Sequence, residues 1–100
     1  MELVIYSKDG CPYCHLMTHV FDDNNIPYRV VDLSDDAKRE EFYESSHTRT
    51  VPQAYLTGGP RHLARPYGVS LGGWSDVKNN LSFIANALKE HENPTILSRE

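Results

Sequence analysis

The stretch Leu3-Val4-Ile5-Tyr6-Ser7-Lys8-Asp9-Gly10-Cys11-Pro12-Tyr13-Cys14 decides how this chain is read. Its apolar, β-branched opening predicts a buried strand over 2–7. Lys8-Asp9-Gly10 is a short loop, and Gly10 permits the turn that ends it. Cys11 then falls at a helix N-cap and Pro12 at the first helical position, where its missing N–H costs nothing. Cys11 and Cys14, the only two cysteines in the chain, lie one turn apart. A strand that delivers Cys-x-x-Cys to the start of a helix is the layout of a thiol–disulfide redox site.

Working outward, Leu16, Met17, Val20 and Phe21 form a helical stripe, and Asp23-Asn24-Asn25 followed by Ile26-Pro27 ends it. Tyr28 to Asp32 is a second strand, which completes a right-handed parallel βαβ unit. Ser34 is placed as the N-cap of a helix over 35–46, with Ala37, Phe42 and Tyr43 facing inward. A polar loop leads through Thr50-Val51-Pro52 to a strand at 53–56, and Thr57-Gly58-Gly59-Pro60 is a turn. Tyr67 to Leu71 returns as the second arm of a hairpin, and Gly72-Gly73 breaks it. A last helix runs from Ser75 to His91 with Val77, Leu81, Ile84 and Leu88 on one face. Residues 92–100 are a polar tail expected to fray. The order is β-α-β-α-β-β-α, an α/β fold: one domain over 1–100 with a four-stranded mixed sheet and helices on both faces.

Composition narrows the classes of function. The net charge of −4 leaves no basic excess to neutralise phosphates, which argues against a nucleic-acid binder. No apolar run approaches the ~20 residues of a membrane span. No basic segment followed by a long apolar stretch opens the sequence, so no secretory leader is expected. A cytoplasmic protein is expected, and there a close cysteine pair is more often catalytic or metal-binding than structural.

Three separated signals then coincide: Cys11-Pro12-Tyr13-Cys14 after the first strand, Thr50-Val51-Pro52 before the third, and Gly72-Gly73-Trp74-Ser75-Asp76 opening the last helix. In this order they resemble a dithiol glutaredoxin of the thioredoxin-like fold, over residues 2 to about 91. The hairpin between Gln53 and Gly72 is longer than is usual in that family. The resemblance implies a glutathione-dependent thiol–disulfide oxidoreductase, a monomer that reduces protein disulfides or glutathione mixed disulfides, with ribonucleotide reductase as one protein substrate. It implies a cis peptide before Pro52, facing the active cysteine, and a Val51 backbone that pairs with the substrate peptide as a strand would.

The attacking sulfur must be a thiolate, and a helix N-terminus favours the anion. That gives Cys11 the nucleophilic role and Cys14 the resolving one, with Lys8 as a second source of positive charge. Glutathione carries two carboxylates and an amine. Lys8 and Arg49 are candidates for its glycine carboxylate. Ser75 and Asp76 are candidates for its γ-glutamyl carboxylate and amine. Tyr13 is a candidate rim contact, and Thr50, Val51 and Pro52 complete the set. No metal is expected, because His15 and His19 are too close in sequence to complete a usual finger. Cys11-x-x-Cys14-His15 also matches a haem attachment pattern, but Met17 is too near to serve as the axial ligand. Two other functions compete. One is a thioredoxin-like carrier to ribonucleotide reductase, recharged by a flavoprotein reductase. The other is an iron–sulfur cluster-binding module, against which the proline after the first cysteine weighs.

Overall fold

The computed structural model describes residues 2–57 and 68–92, with side chains through Leu88. Four strands form one sheet: β1 (Glu2–Ser7), β2 (Arg29–Asp32), β3 (Gln53–Thr57) and β4 (Val69–Gly72), in the spatial order β2-β1-β3-β4. β1 pairs parallel with β2 and antiparallel with β3, and β4 closes the hairpin on β3. The helices are α1 (Pro12–Asp23), α2 (Asp36–Ser46), α3 (Trp74–Asn79) and α4 (Leu81–Glu92). Residues 58–67, among them Arg61, His62 and Arg65, and residues 93–100 lie outside the described residues.

Side-chain alternation along the strands puts the two cores on opposite faces of the sheet. Leu3, Ile5, Ala54 and Leu56 point to one face and pack with Met17 and Phe21 of α1, Val77 of α3, and Ile84 and Leu88 of α4. Tyr55 points the other way and meets Leu33 and Phe42, with Tyr6 and Val31 packed around them. The Tyr6 and Phe42 rings stack at 4.6 Å, and Tyr55 meets Tyr6 edge-on at 5.5 Å, geometries that suit the aromatic quadrupole.

α1 ends in a Schellman motif. Asn25 takes a left-handed conformation (φ 57°), Ile26 N–H donates to the Phe21 carbonyl at 2.9 Å, and Asn25 N–H donates to that of Asp22 at 3.1 Å. Phe21 and Ile26 then share the same core, which fixes the exit of the chain toward β2.

Four expectations shift. The last helix is two helices, because the Asn80 side-chain amide donates to the Asp76 carbonyl at 2.7 Å. The Asn80 backbone N–H turns instead to Val77, at 3.1 Å, and the ladder restarts from Asn80. α2 is capped by Asp35, whose carboxylate accepts from Lys38 N–H at 3.0 Å, and not by Ser34. Ala37 is exposed, since one buried residue, Phe42, anchors that helix to the sheet. Leu16 is 44% exposed, because the buried side of α1 runs through Cys14, Met17 and Phe21.

Candidate functional site

The site forms where three chain reversals meet at one end of the sheet. Gly10, at φ 70°, turns the chain from β1 into α1. Cys11 follows in an extended conformation (φ −102°, ψ 105°) as the N-cap of α1, with Pro12 in the first turn. Its Sγ accepts the Cys14 N–H at 3.3 Å, while its carbonyl accepts from Cys14 and His15. The sulfur thus occupies the position at which a capping oxygen usually sits. No acidic side chain stands in the first turn of α1 to compete for its positive end.

Both thiols are free. Cys11 and Cys14 are 7% and 5% exposed, so accessibility barely separates them. The Cys14 thiol is pushed up to about 12, chiefly by burial and then by its hydrogen bond to Cys11, while the Lys8 backbone and the Lys8 charge oppose the shift. Cys14 therefore holds its proton at neutral pH and presents S–H and N–H to the Cys11 sulfur.

Across from Cys11 is the Val51 carbonyl, 3.8 Å from Sγ. The Val51–Pro52 peptide is cis. Pro52 is buried and Val51 half-buried, and Thr50 is exposed with its hydroxyl accepting from the buried Gln53 amide at 3.0 Å. The third reversal is Gly72-Gly73. Gly72 is at φ 88°, and a Cβ there would overlap the Asp76 carboxylate. A Cβ on Gly73 would lie 3.4 Å from the Pro52 carbonyl oxygen, so the glycine pair packs directly behind the cis-proline.

Cys11, Cys14, Lys8, Val51 and Pro52 are thus brought together. Asp76 is tied to the glycine turn, and it and Ser75 lie exposed in the first turn of α3. Tyr13, 57% exposed, stands beside the cysteines on α1. Arg49 is exposed two residues before the cis peptide, with no hydrogen bond or ion pair to the cysteines among the described residues. Trp74 is half-buried against the main core, with the Lys78 ammonium 5.9 Å from its ring centroid. Gln53 was missed in the sequence. Its signal was there, an amide at the head of an otherwise apolar strand and next to a Val-Pro. Among the described residues no group of three or more His, Cys, Asp or Glu could hold a metal ion, and no helix is long and apolar enough to cross a membrane.

A mixed sheet of this order, with Cys-x-x-Cys capping the helix after its first strand and a cis-proline opposite, defines a thioredoxin-like protein. Within that class, the chain belongs to the glutaredoxin family, whose model matches residues 3–59. It is 35% identical over 60 residues to rat mitochondrial glutaredoxin-2, a match spanning 56% of this chain and 38% of the relative. It is 34% identical over 53 residues to Escherichia coli glutaredoxin 3, covering 52% of this chain and 64% of that one. The chain therefore spans about two fifths of the length of the mitochondrial relatives it matches. Among solved structures, glutaredoxin 1 from Francisella tularensis, complexed with cacodylate, superposes with a TM-score of 0.68 at 28% identity, over 85% of this chain and 96% of that one.

Proposed function

We propose that this chain is a glutathione-dependent thiol–disulfide oxidoreductase. The observation that carries the reading is the division of labour between the sulfurs: Cys11 caps α1 and faces the cis-proline turn, while Cys14 keeps its proton one turn below. The Cys11 thiolate attacks a substrate disulfide, forms a mixed disulfide and expels the other sulfur as a thiolate. Glutathione or Cys14 then attacks the Cys11 sulfur. The substrate thiol leaves with the electron pair, and the protein is left as a glutathione adduct or an internal disulfide.

The Val51 backbone offers an extended partner for the peptide part of glutathione, with Thr50 and Pro52 shaping the turn. Lys8 and Arg49 serve the glycine carboxylate, Ser75 and Asp76 the γ-glutamyl end, and Tyr13 the rim. A glutaredoxin–glutathione complex from buckwheat shares the fold, which supports the same co-substrate here. The protein substrates belong to the same proposal. They are disulfide-containing proteins in a reducing, cytoplasmic setting, ribonucleotide reductase among them, served by a monomer.

The test is turnover of a glutathionylated peptide, with reduced glutathione or a flavoprotein thioredoxin reductase as donor. Cys11→Ser is expected to abolish turnover, and Cys14→Ser to retain it on the mixed disulfide. Activity that survives Cys11→Ser contradicts the assignment, and recharging by the flavoprotein alone removes glutathione from it.

A further inference from the structure

Gln53 is buried, 7% exposed, at the head of the otherwise apolar strand β3. The glutathione contacts proposed above leave it without a task. Its backbone is fixed by the sheet, where it pairs with Tyr6 in the antiparallel β1–β3 ladder. Burying an amide costs free energy unless the amide is hydrogen-bonded. The Gln53 side chain meets that need by donating from Nε2 to the Thr50 hydroxyl oxygen at 3.0 Å. The same nitrogen borders the glycine turn: a Cβ on Gly73 would lie 3.9 Å from it and 3.4 Å from the Pro52 carbonyl oxygen. One amide thus sits between the Thr50–Pro52 turn and the Gly72–Gly73 turn.

The first of these turns has little else to fix it. Among the described residues, residues 49–51 make no backbone–backbone hydrogen bond. Thr50 is exposed and Val51 is half-buried. Two polar contacts bracket the turn: the Gln53–Thr50 bond, and the Cys11 thiol 3.8 Å from the Val51 carbonyl. The second needs an S–H to donate, and neither a thiolate nor a mixed disulfide has one. In the reacting forms of Cys11, the Gln53 bond is therefore the tie that remains of the two.

We propose that Gln53 is a positioning residue for the peptide part of the substrate: through Thr50 it holds the Val51 backbone in the register that pairs with glutathione, and so favours glutathionyl over non-peptide disulfides. The proposal rests on the glutathione reading above. In the step it serves, the Cys11 thiolate bonds to the glutathione sulfur, the substrate disulfide breaks, and the other sulfur leaves with the electron pair as a thiolate. A disulfide with no peptide backbone has nothing to pair with Val51 and gains nothing from a turn held in register.

The experiment compares a short peptide whose cysteine carries glutathione as a mixed disulfide with dithiobis-nitrobenzoate, a disulfide that has no peptide. Turnover of the peptide is followed at fixed reduced glutathione, and the aromatic disulfide by its first release of coloured thiolate. Gln53→Met keeps the length and the burial but cannot donate to Thr50. It is expected to raise KM for the glutathionylated peptide roughly three- to tenfold, with kcat and the coloured release changed by less than about twofold. Thr50→Val, at an exposed position where folding is not at risk, removes the acceptor and should do the same. Adding Gln53→Met to Thr50→Val should have no further effect, because the bond is already gone. Thr50→Ser keeps the hydroxyl and stays near the original KM. An unchanged KM in Gln53→Met, a coloured release slowed in step with peptide turnover, or fully additive effects of the two substitutions would overturn the role of Gln53. Equal KM values for the unsubstituted protein on the glutathionylated peptide and on the same peptide carrying β-mercaptoethanol would instead overturn the glutathione reading beneath it.

Discussion

α1 and α2 begin with the same device and use it for different ends. Each is capped by a side chain that accepts the backbone N–H three residues on. In α2 the acceptor is the Asp35 carboxylate, 3.0 Å from Lys38 N, and in α1 it is the Cys11 sulfur, 3.3 Å from Cys14 N. α2 adds Asp36 in its first turn, whereas α1 has no acid there. An oxygen cap with a neighbouring acid satisfies the positive end of a helix and stabilises it. A sulfur cap with no acid nearby is the weaker arrangement for stability, but it leaves the positive end to an atom that can leave the cap and attack. The same local physics thus serves structure on one side of the sheet and chemistry on the other.

The largest effect follows from turning the α1 cap into one like that of α2. Cys11→Ser keeps an N-cap acceptor, so thiol exchange should vanish while the melting temperature holds or rises, as activity assays and thermal unfolding will show. Loss of exchange together with a large drop in melting temperature would mean that the sulfur is structural. Next is an injury to the α2 side alone. Phe42, stacked on Tyr6, anchors that face, and Phe42→Ala should cost about 3–5 kcal/mol in chemical denaturation. The preference of an alkylating reagent for Cys11 over Cys14 should survive in the protein that remains folded. Smaller again is Asp35→Ala, which removes the oxygen cap and should cost about 1 kcal/mol. That corresponds to roughly 4–8 °C in a domain of this size. The smallest effect comes from making the first turn of α1 acidic like that of α2. Tyr13→Asp, at an exposed position, should slow alkylation of Cys11 about two- to fivefold, less so at high salt. An unchanged rate would show that the positive end of α1 does not govern the sulfur.

Much of this was legible because the decisive signals are local. The strand into Gly10, the N-cap cysteine with Pro12 behind it, the Val51-Pro52 pair and the Gly72-Gly73 turn each declare a backbone geometry through residue type. The errors arose where a side chain chose a distant or competing partner. Ser34 and Asp35 are both good caps, and the choice fell to Asp35 because Asp32 and Asp9, the latter 25 residues away in sequence, engage Ser34. Asn80 divides the last helix through a hydrogen bond that periodicity does not register. Leu16 fits the apolar stripe, but the sheet dictates which arc of α1 is covered, and Leu16 falls outside it. The candidate glutathione contacts divide in the same way. Val51 and Pro52 are placed by backbone, whereas Arg49 depends on a long side chain that the sequence cannot aim.

The most direct test of the account is mass-mapped alkylation of the reduced protein across pH. The account predicts that Cys11 takes the label at neutral pH and that Cys14 stays unlabelled until strongly alkaline conditions, in keeping with a thiol pushed up to about 12. Labelling of Cys14 first, or of both sulfurs at the same rate near neutrality, would contradict it.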